Sequence, residues 1–415
     1  MKNDLILAGI ISEKGLANKL KTTIAKDFQE IEVLIFDNFK TMTKKSDFSE
    51  IDYLIIDMDK NHEDFKEIFK FLKQENPHII RVLVVDTYDL NHVLVYHDFV
   101  HLIVEKKYLM DYLHDLFEKA NRLRYLLQNQ KLIKIINSFD LCPTIKGVYM
   151  EILHQVQKHD VSLKAIGELV EKDIVLSTKI LQVSNMTAFS SVKRITHPKL
   201  AVVNLGVNIL RALILSISFF NPDQDEFRSL RFVKQVEVHS MRVAKNAVLI
   251  AKELNVNTAI SNDSFTAGLL HDLGRIVIMR RIPNWNEIQQ VSDNLQMPLW
   301  KAEKDMIGAS HTEIGAYFLS IWGFPPSIVD AVAFHHAPQD CKQHNSMILA
   351  ILHVAEAITH RSQNVSMEIL LEHLDLEYLD KMGIKENIIA FLKMFCGMPM
   401  EEGDETPDES IESRE

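Results

Sequence analysis

The residues best suited to chemistry lie in the second half of the sequence. They are His239, the adjacent pair His271-Asp272, His311, the pair His335-His336, and Glu356. Imidazole nitrogens and carboxylate oxygens together are donors for divalent transition metals, which polarise phosphoryl oxygens and activate water near neutral pH. Neighbouring side chains on a helix point about 100° apart. Each adjacent pair could therefore serve two ions, or place one member behind the other. A single histidine in a packed helix needs only a hydrogen-bond partner, so the weight falls on the set and not on any one member. Cys341-x-x-His344 is too slight a pattern for a zinc site.

The elements that must hold these residues are helices. His239 borders the apolar stripe Val236, Val243, Ala247, Ile250 and Leu254. His271-Asp272 follows AGLL and precedes Ile276-Val277-Ile278. Ser310-x-x-Glu313 reads as a capping box, which puts His311 in the first turn of its helix. Pro325 and Pro326 open the next helix, whose end carries His335-His336. Glu356 lies in MILAILHVAEAI, where a buried acid requires a partner; His353 and His360, at i−3 and i+4, are the local alternatives to a metal. Upstream, Ser162 and Asp173 are placed to cap helices, FDLCPT at 139–144 reads as a turn, and Asn204–Phe220 should be a buried central helix.

The ordered segments SLKAIGELVEKDIVLSTKILQVSN, ITHPKLAVVNLGVNILRALILSIS, HSMRVA, AGLLHDLGRIV and GASHTEIGAYFLSIWGFPPSIVDAVAFHHAP resemble the HDOD output module of bacterial signalling proteins. The resemblance covers roughly Phe139 to Arg361. It implies an all-α HD-like domain related to metal-dependent HD phosphohydrolases, in which histidines and a bridging carboxylate hold one or two divalent ions (Mn, Fe, Ni or Zn). It also implies that catalysis is generally lost and that the surface binds other signalling proteins. The chain departs from that pattern in places. Arg275 stands where cyclic-dinucleotide phosphodiesterases have lysine, HHAPQDCKQHN lacks their Gly-Tyr-Pro, Glu356 replaces a closing aspartate, and Asn185-Met186-Thr187-Ala188-Phe189-Ser190 replaces a small-residue turn.

The first 127 residues alternate short apolar runs with amphipathic stretches. Leu5–Ile11, Glu32–Phe36, Tyr53–Asp57, Arg81–Val85 and His101–Val104 are candidate strands, and Asp64–Glu75 is helix-like. The runs LIIDM and VLVVD are continuous, as in parallel strands covered on both faces. This predicts a doubly wound α/β domain. It is similar to a response-regulator receiver domain, with Asp57 ending the third strand as the phosphoacceptor-like residue and Lys106 following the fifth as the site lysine. The magnesium-holding acidic pair is missing, since LILAGIISEKG supplies only Glu13, and the fourth-strand hydroxyl is replaced by Val85, or by Thr87 if the register slips. Phosphoryl transfer depends on a metal offsetting phosphate charge, so the resemblance points to a degenerate, protein-binding receiver. Leu109, Leu113, Leu116, Ala120, Leu123 and Leu127 then form a 4-3 seam. The seam could pack on its own domain or pair with a second copy as a short coiled coil; fewer than three heptads favours the former.

Composition frames this reading. Of 415 residues, 47% are hydrophobic and 25% charged, and only 13 are glycine and 11 proline, which favours long helices over a turn-dense β protein. The net charge is −11, of which Glu401 to Glu415 carries −7. That segment reads as a disordered acidic tail, and no basic field invites nucleic acid or an anionic membrane. No stretch reads as a signal peptide or an uncharged span of about 18 residues. Three scattered cysteines, Cys142, Cys341 and Cys396, fit buried thiols in a reducing cytoplasm. The expected organisation is a receiver-like α/β domain (1–127), a linker (128–138), an all-α HDOD domain (139–361), a helical extension (362–400) and the tail (401–415). The expected function is cytoplasmic signal transduction through a non-catalytic output module, with a metal-dependent phosphohydrolase acting on nucleotides or cyclic dinucleotides as the alternative.

Overall fold

The computed structural model describes residues 6–44, 50–58, 65–86, 96, 99–111, 113–127, 129–137, 151–152, 155–156, 161–185, 195–219, 227–341, 346–359 and 367–396. The turn at 139–144 with Cys142, Thr87, residues 186–190, His344, His360 and the tail lie outside them, as does the Cys396 side chain. Cys341 is half-buried. The chain divides into two compact units. The first is built mainly on Met1–Thr144, the second mainly on Asp160–Ala316 and Ser327–Glu415.

The first unit is an α/β sandwich. Its elements run β1 (Ile6–Ile11), α1 (Lys14–Asp27), β2 (Ile31–Phe36), α2 (Phe39–Lys44), β3 (Tyr53–Asp57), α3 (Phe65–Glu75), β4 (Ile80–Val85), β5 (Leu102–Glu105), α4 (Leu113–Leu126) and α5 (Gln130–Asn137). All strand pairs are parallel, in the order β2-β1-β3-β4-β5. Every residue of β3 and β4 is buried, which explains their unbroken apolar runs. The strand order reverses between β1 and β3, so the crevice lies beyond the carboxyl ends of those strands. Ser12 and Glu13 follow β1 there, Asp57 ends β3 and Lys106 follows β5.

The leucine seam turns inward. Leu113, Leu116, Ala120 and Leu123 are buried, and Phe117 packs against Phe28 and Tyr53 at 4.9 and 5.6 Å between ring centroids. Arg124 Nε donates to Asp52 Oδ1 at 2.7 Å, while Asp52 Oδ2 accepts from Leu7 N at 3.0 Å, tying α4 to the start of β1. The sequence suggested one helix running into a linker. Instead Asn129 Oδ1 accepts from Lys131 N and Leu132 N and starts the separate helix α5.

The second unit is helical: α6 (Leu163–Val170), α7 (Ile174–Ser184), α8 (Pro198–Phe219), α9 (Phe227–Glu253), α10 (Thr258–Leu270), α11 (Leu273–Arg281), α12 (Trp285–Leu295), α13 (Leu299–Ile307), α14 (His311–Ile321), α15 (Pro326–Phe334), α16 (Met347–Thr359), α17 (Met367–Glu372), α18 (Leu376–Lys381) and α19 (Lys385–Cys396). Ser162 and Asp173 cap α6 and α7 by accepting from Ala165 N and Leu176 N at 3.3 and 2.8 Å. The central helix α8 begins six residues earlier than its apolar run suggested, since Pro198 suits a first helical position. It breaks at Gly206, whose φ of 78° and ψ of 177° leave helical space. Residues Pro198–Ile217 are long and apolar enough to cross a membrane by length and composition, but 61% of that window is buried against protein.

Helix α9 is the spine of this unit and packs on α10, α11 and α16. Residues Ser264–Leu270 of α10 are buried on every side, as is nearly all of α16, so neither shows an amphipathic stripe. Asn246 Nδ2 donates to Thr359 Oγ1 at 2.9 Å and links α9 to α16. At the start of α11, Gly274 lies against the backbone of His311, and a Cβ there would overlap the His311 carbonyl. Backbone cannot step aside as a side-chain tip does. Gly274→Ala is therefore expected to cost about 3 kcal/mol in a denaturant melt. Gly15→Ala, in open space on the exposed side of α1, should be neutral or stabilising. An unchanged midpoint for Gly274→Ala would show that the α14 start can slide.

Candidate metal centre

All seven candidate ligands come together in the second unit. His239 projects from the middle of α9 and Glu356 from α16, while His311 is the first residue of α14. The other four do not sit on helices as the sequence suggested. His271 and Asp272 occupy the break between α10 and α11, and His335 and His336 follow the last residue of α15. The capping box forms: Ser310 N donates to Glu313 Oε2 at 2.9 Å and Glu313 N to Ser310 Oγ at 3.3 Å.

The donors form overlapping triads, His239–His271–Glu356, His271–Asp272–His335 and His311–His335–His336, with ligand atoms within 4.8 Å of one another in each. Glu356 Oε2 lies 3.2 Å from His239 Nε2 and 3.1 Å from His271 Nε2. Asp272 is central, with Oδ1 at 3.5 Å from His271 Nε2 and 3.4 Å from His311 Nε2, and Oδ2 at 3.8 Å from His239 Nε2. Arg275 Nη1 donates to Asp272 Oδ2 at 3.0 Å. His271, Asp272, His311, His335 and Glu356 are buried, whereas His239 and His336 are partly exposed at the two ends of the row.

Whether these residues fit a metal is decided by the far side of each ring. His271 Nδ1 donates to Gly268 O at 2.8 Å, His335 Nδ1 to Val332 O at 2.8 Å, and His311 Nδ1 to Glu303 Oε2 at 2.7 Å. A ring whose Nδ1 carries the proton presents a lone pair on Nε2 when neutral, and this outer hydrogen bond is the usual support of a ligating histidine. Among the described residues, the buried Nε2 of His335 makes no hydrogen bond, and that of His271 meets a carboxylate oxygen of Glu356 at 3.1 Å. Buried polar atoms rarely stay unsatisfied. The arrangement therefore fits one or two divalent ions.

Charge is matched without an ion as well. Burial disfavours the charged form of His271, but the Asp272 and Glu356 carboxylates outweigh it and carry its pKa up to about 9. Burial, with His271 and His311 adding to it, pushes His335 down to about 3. Burial raises Asp272, yet His271, Arg275, His311 and His239 hold it well below the usual carboxylate range. His353, the suggested local partner of Glu356, is engaged elsewhere: its Nδ1 donates to His335 O at 2.7 Å and its Nε2 accepts from Asp375 N at 2.9 Å.

Sequence reasoning missed Glu303. Its Oε2 accepts from both the backbone N and Nδ1 of His311, each at 2.7 Å, and the residue is 2% exposed. One signal was available, because Glu303 falls on the buried side of α13 next to Ala302 and one turn after Leu299. In the first unit, Asp57 Oδ2 accepts from Ser12 Oγ at 2.8 Å and pairs with Lys106 Nζ at 3.0 Å, and Lys106 lies 3.6 Å from Glu13.

Because His271 keeps its proton up to about pH 9 without metal, an ion binding its Nε2 must displace that proton. The apparent affinity for Mn²⁺ should then rise roughly tenfold per pH unit from pH 6 to 8 and flatten near pH 9. Titration calorimetry across that range measures it, and a flat profile would exclude His271 as a ligand.

Comparison with known proteins agrees with the helical part of this picture. Residues 142–338 match the HDOD domain family model. An uncharacterized protein of Treponema pallidum is 27% identical over 215 residues, which cover 50% of this chain and 41% of that protein. Ribonuclease Y of Thermus thermophilus is 29% identical over 159 residues, 38% of this chain and 22% of the enzyme. The chain thus spans less than half the length of either relative. The crystal structure of an HDOD domain protein from Geobacter sulfurreducens aligns over 64% of this chain and 93% of its own, at 22% identity and a TM-score of 0.47. The matched segment holds His239, His271, Asp272, His311, His335 and His336, while Glu356 lies beyond it. The chain contains an HDOD domain, at residues 142–338.

Proposed function

We propose that this protein is a signal-transduction regulator. On this reading the α/β unit is a receiver-like input, and the HDOD-containing unit holds a divalent metal centre and binds other signalling proteins. The observation that carries the metal part is the set of three rings pinned through Nδ1, two of which bring Nε2 to the buried carboxylates of Glu356 and Asp272. His239, His271, Asp272, His311, His335, His336 and Glu356 would hold the ion or ions. A bound ion would polarise a phosphoryl oxygen and make water more acidic. In the α/β unit, Ser12 and Glu13 follow the first strand where a receiver has an acidic pair, and a hydroxyl, Ser12 Oγ, donates to Asp57 at 2.8 Å where a second carboxylate would help hold magnesium. This supports a switch that works by protein contact in preference to phosphorylation.

A second reading is a metal-dependent phosphohydrolase of nucleotides or cyclic dinucleotides. The partial exposure of His239 and His336 favours it, because solvent and substrate have two ways in. So does the similarity to ribonuclease Y, an enzyme named for cutting RNA.

One experiment separates the two. Purified protein is assayed for bound Mn, Fe, Ni and Zn, then for hydrolysis of nucleotides, cyclic dinucleotides and RNA, with His271→Ala as control. The regulator reading expects stoichiometric metal and no turnover. Turnover abolished in His271→Ala would replace it with the enzyme, and a metal-free protein that refuses all four ions would remove the metal centre from both. Separately, acetyl phosphate with magnesium should leave Asp57 unlabelled; stoichiometric labelling that disappears in Asp57→Asn would restore a phosphorylated receiver.

A further inference from the structure

Glu303 has a role that neither the ligand set nor the fold requires of it. Helix α14 is already capped by Ser310 and Glu313, yet the buried Glu303 carboxylate aims one oxygen at both the backbone N and the ring Nδ1 of His311. Capping accounts for the first of these bonds only. The second fixes the tautomer of His311, so that its Nε2 lone pair accepts from His336 Nε2 at 3.3 Å in the metal-free protein, a proton that an ion would displace. Two nitrogens held about 2.0–2.1 Å from one tetrahedral ion are separated by about 3.3–3.4 Å. His335 supplies a third imidazole, with Nδ1 on Val332 O and a buried Nε2 that makes no hydrogen bond.

We infer that Glu303 is the positioning carboxylate of a three-imidazole metal position, His311, His335 and His336, that favours zinc. This rests on the metal reading proposed above. The neighbouring triad differs in its donor set, because Glu356 brings a carboxylate oxygen to 3.2 and 3.1 Å from His239 and His271, whereas at His311 Nε2 the nearest ligand-type atom is an imidazole, with Asp272 Oδ1 at 3.4 Å beside it. Two histidines and a carboxylate suit iron as well as zinc, whereas three neutral imidazoles with an outer carboxylate suit zinc. A carboxylate behind an imidazole raises its basicity and holds the ring in place, and its removal typically weakens metal binding about 10–100-fold.

The test uses the full chain, stripped of metal and titrated with zinc sulfate against a chromophoric chelator, in the wild type, Glu303→Gln and Glu303→Leu. Glutamine keeps an acceptor oxygen for both His311 bonds but loses the charge, so zinc should bind about tenfold more weakly. Leucine loses both and should bind about a hundredfold more weakly. The loss should fall on one site, with occupancy of the His239–His271–Glu356 site unchanged, and imidazole ¹⁵N shifts of the metal-free protein should report the Nδ1–H tautomer of His311 in the wild type and the glutamine variant. Wild-type zinc affinity in Glu303→Leu would overturn the proposal, as would equal loss at both sites together with a lower melting temperature, which is what a cap alone would give. A wild type that takes up no zinc or other ion is a separate result, visible without any variant, and would overturn the metal reading and this assignment together.

Discussion

A carboxylate cannot be buried as an anion unless positive charge or hydrogen bonds replace the water it loses. Asp272 is 2% exposed and sits at the end of a helix whose last turn is buried on all sides. Arg275 comes from its own next turn, and His239, His271 and His311 come from α9, the α10–α11 break and α14. Removing one partner of such a buried set typically costs about 3–5 kcal/mol. The placement of α9, α10, α11 and α14 is therefore constrained by this one side chain as well as by the apolar packing around it.

The rings that answer this carboxylate are held in two different ways. His271 and His335 each follow the last residue of a helix, where terminal carbonyls lack intrahelical partners. Each donates to the carbonyl three residues back, Gly268 and Val332, so one bond completes the helix end and orients the ligand. His311 begins a helix and has no preceding carbonyl to use; its Nδ1 depends on Glu303 from α13. Gly274 permits this close approach, because any side chain there would meet the His311 backbone. In the α/β unit the same need is met differently. Asp57, 8% exposed, is answered by Ser12 and Lys106 at the ends of neighbouring elements.

Much of this was legible beforehand. The five strands appear within a residue or two of their apolar runs, because parallel strands buried on both faces leave a mark that short-range periodicity captures. Caps at Ser162, Asp173 and Ser310 formed as expected, since capping is decided within four residues. Helix ends were less legible. Pro198 starts α8 before its apolar run begins, and His271 and His335 fall just outside helices whose apolar pattern runs on past them. A helix end is set by what packs beyond it, which local pattern does not contain. Glu303 was missed because a buried acid in an amphipathic helix looks like a surface acid until its partner, eight residues on, is brought against it.

The sequence by itself determined which donor types were present, in what order, and on what kind of element. Residue identity and short-range periodicity carry that information directly. Only the tertiary structure decided that seven donors contributed by three helices and two helix ends converge within ligand distance, and which nitrogen of each ring faces inward. Those outcomes depend on contacts between residues tens of positions apart, such as His239 with Glu356, and on hydrogen bonds made behind the ligands. A donor's identity is local, whereas its direction is set by whatever holds its other side.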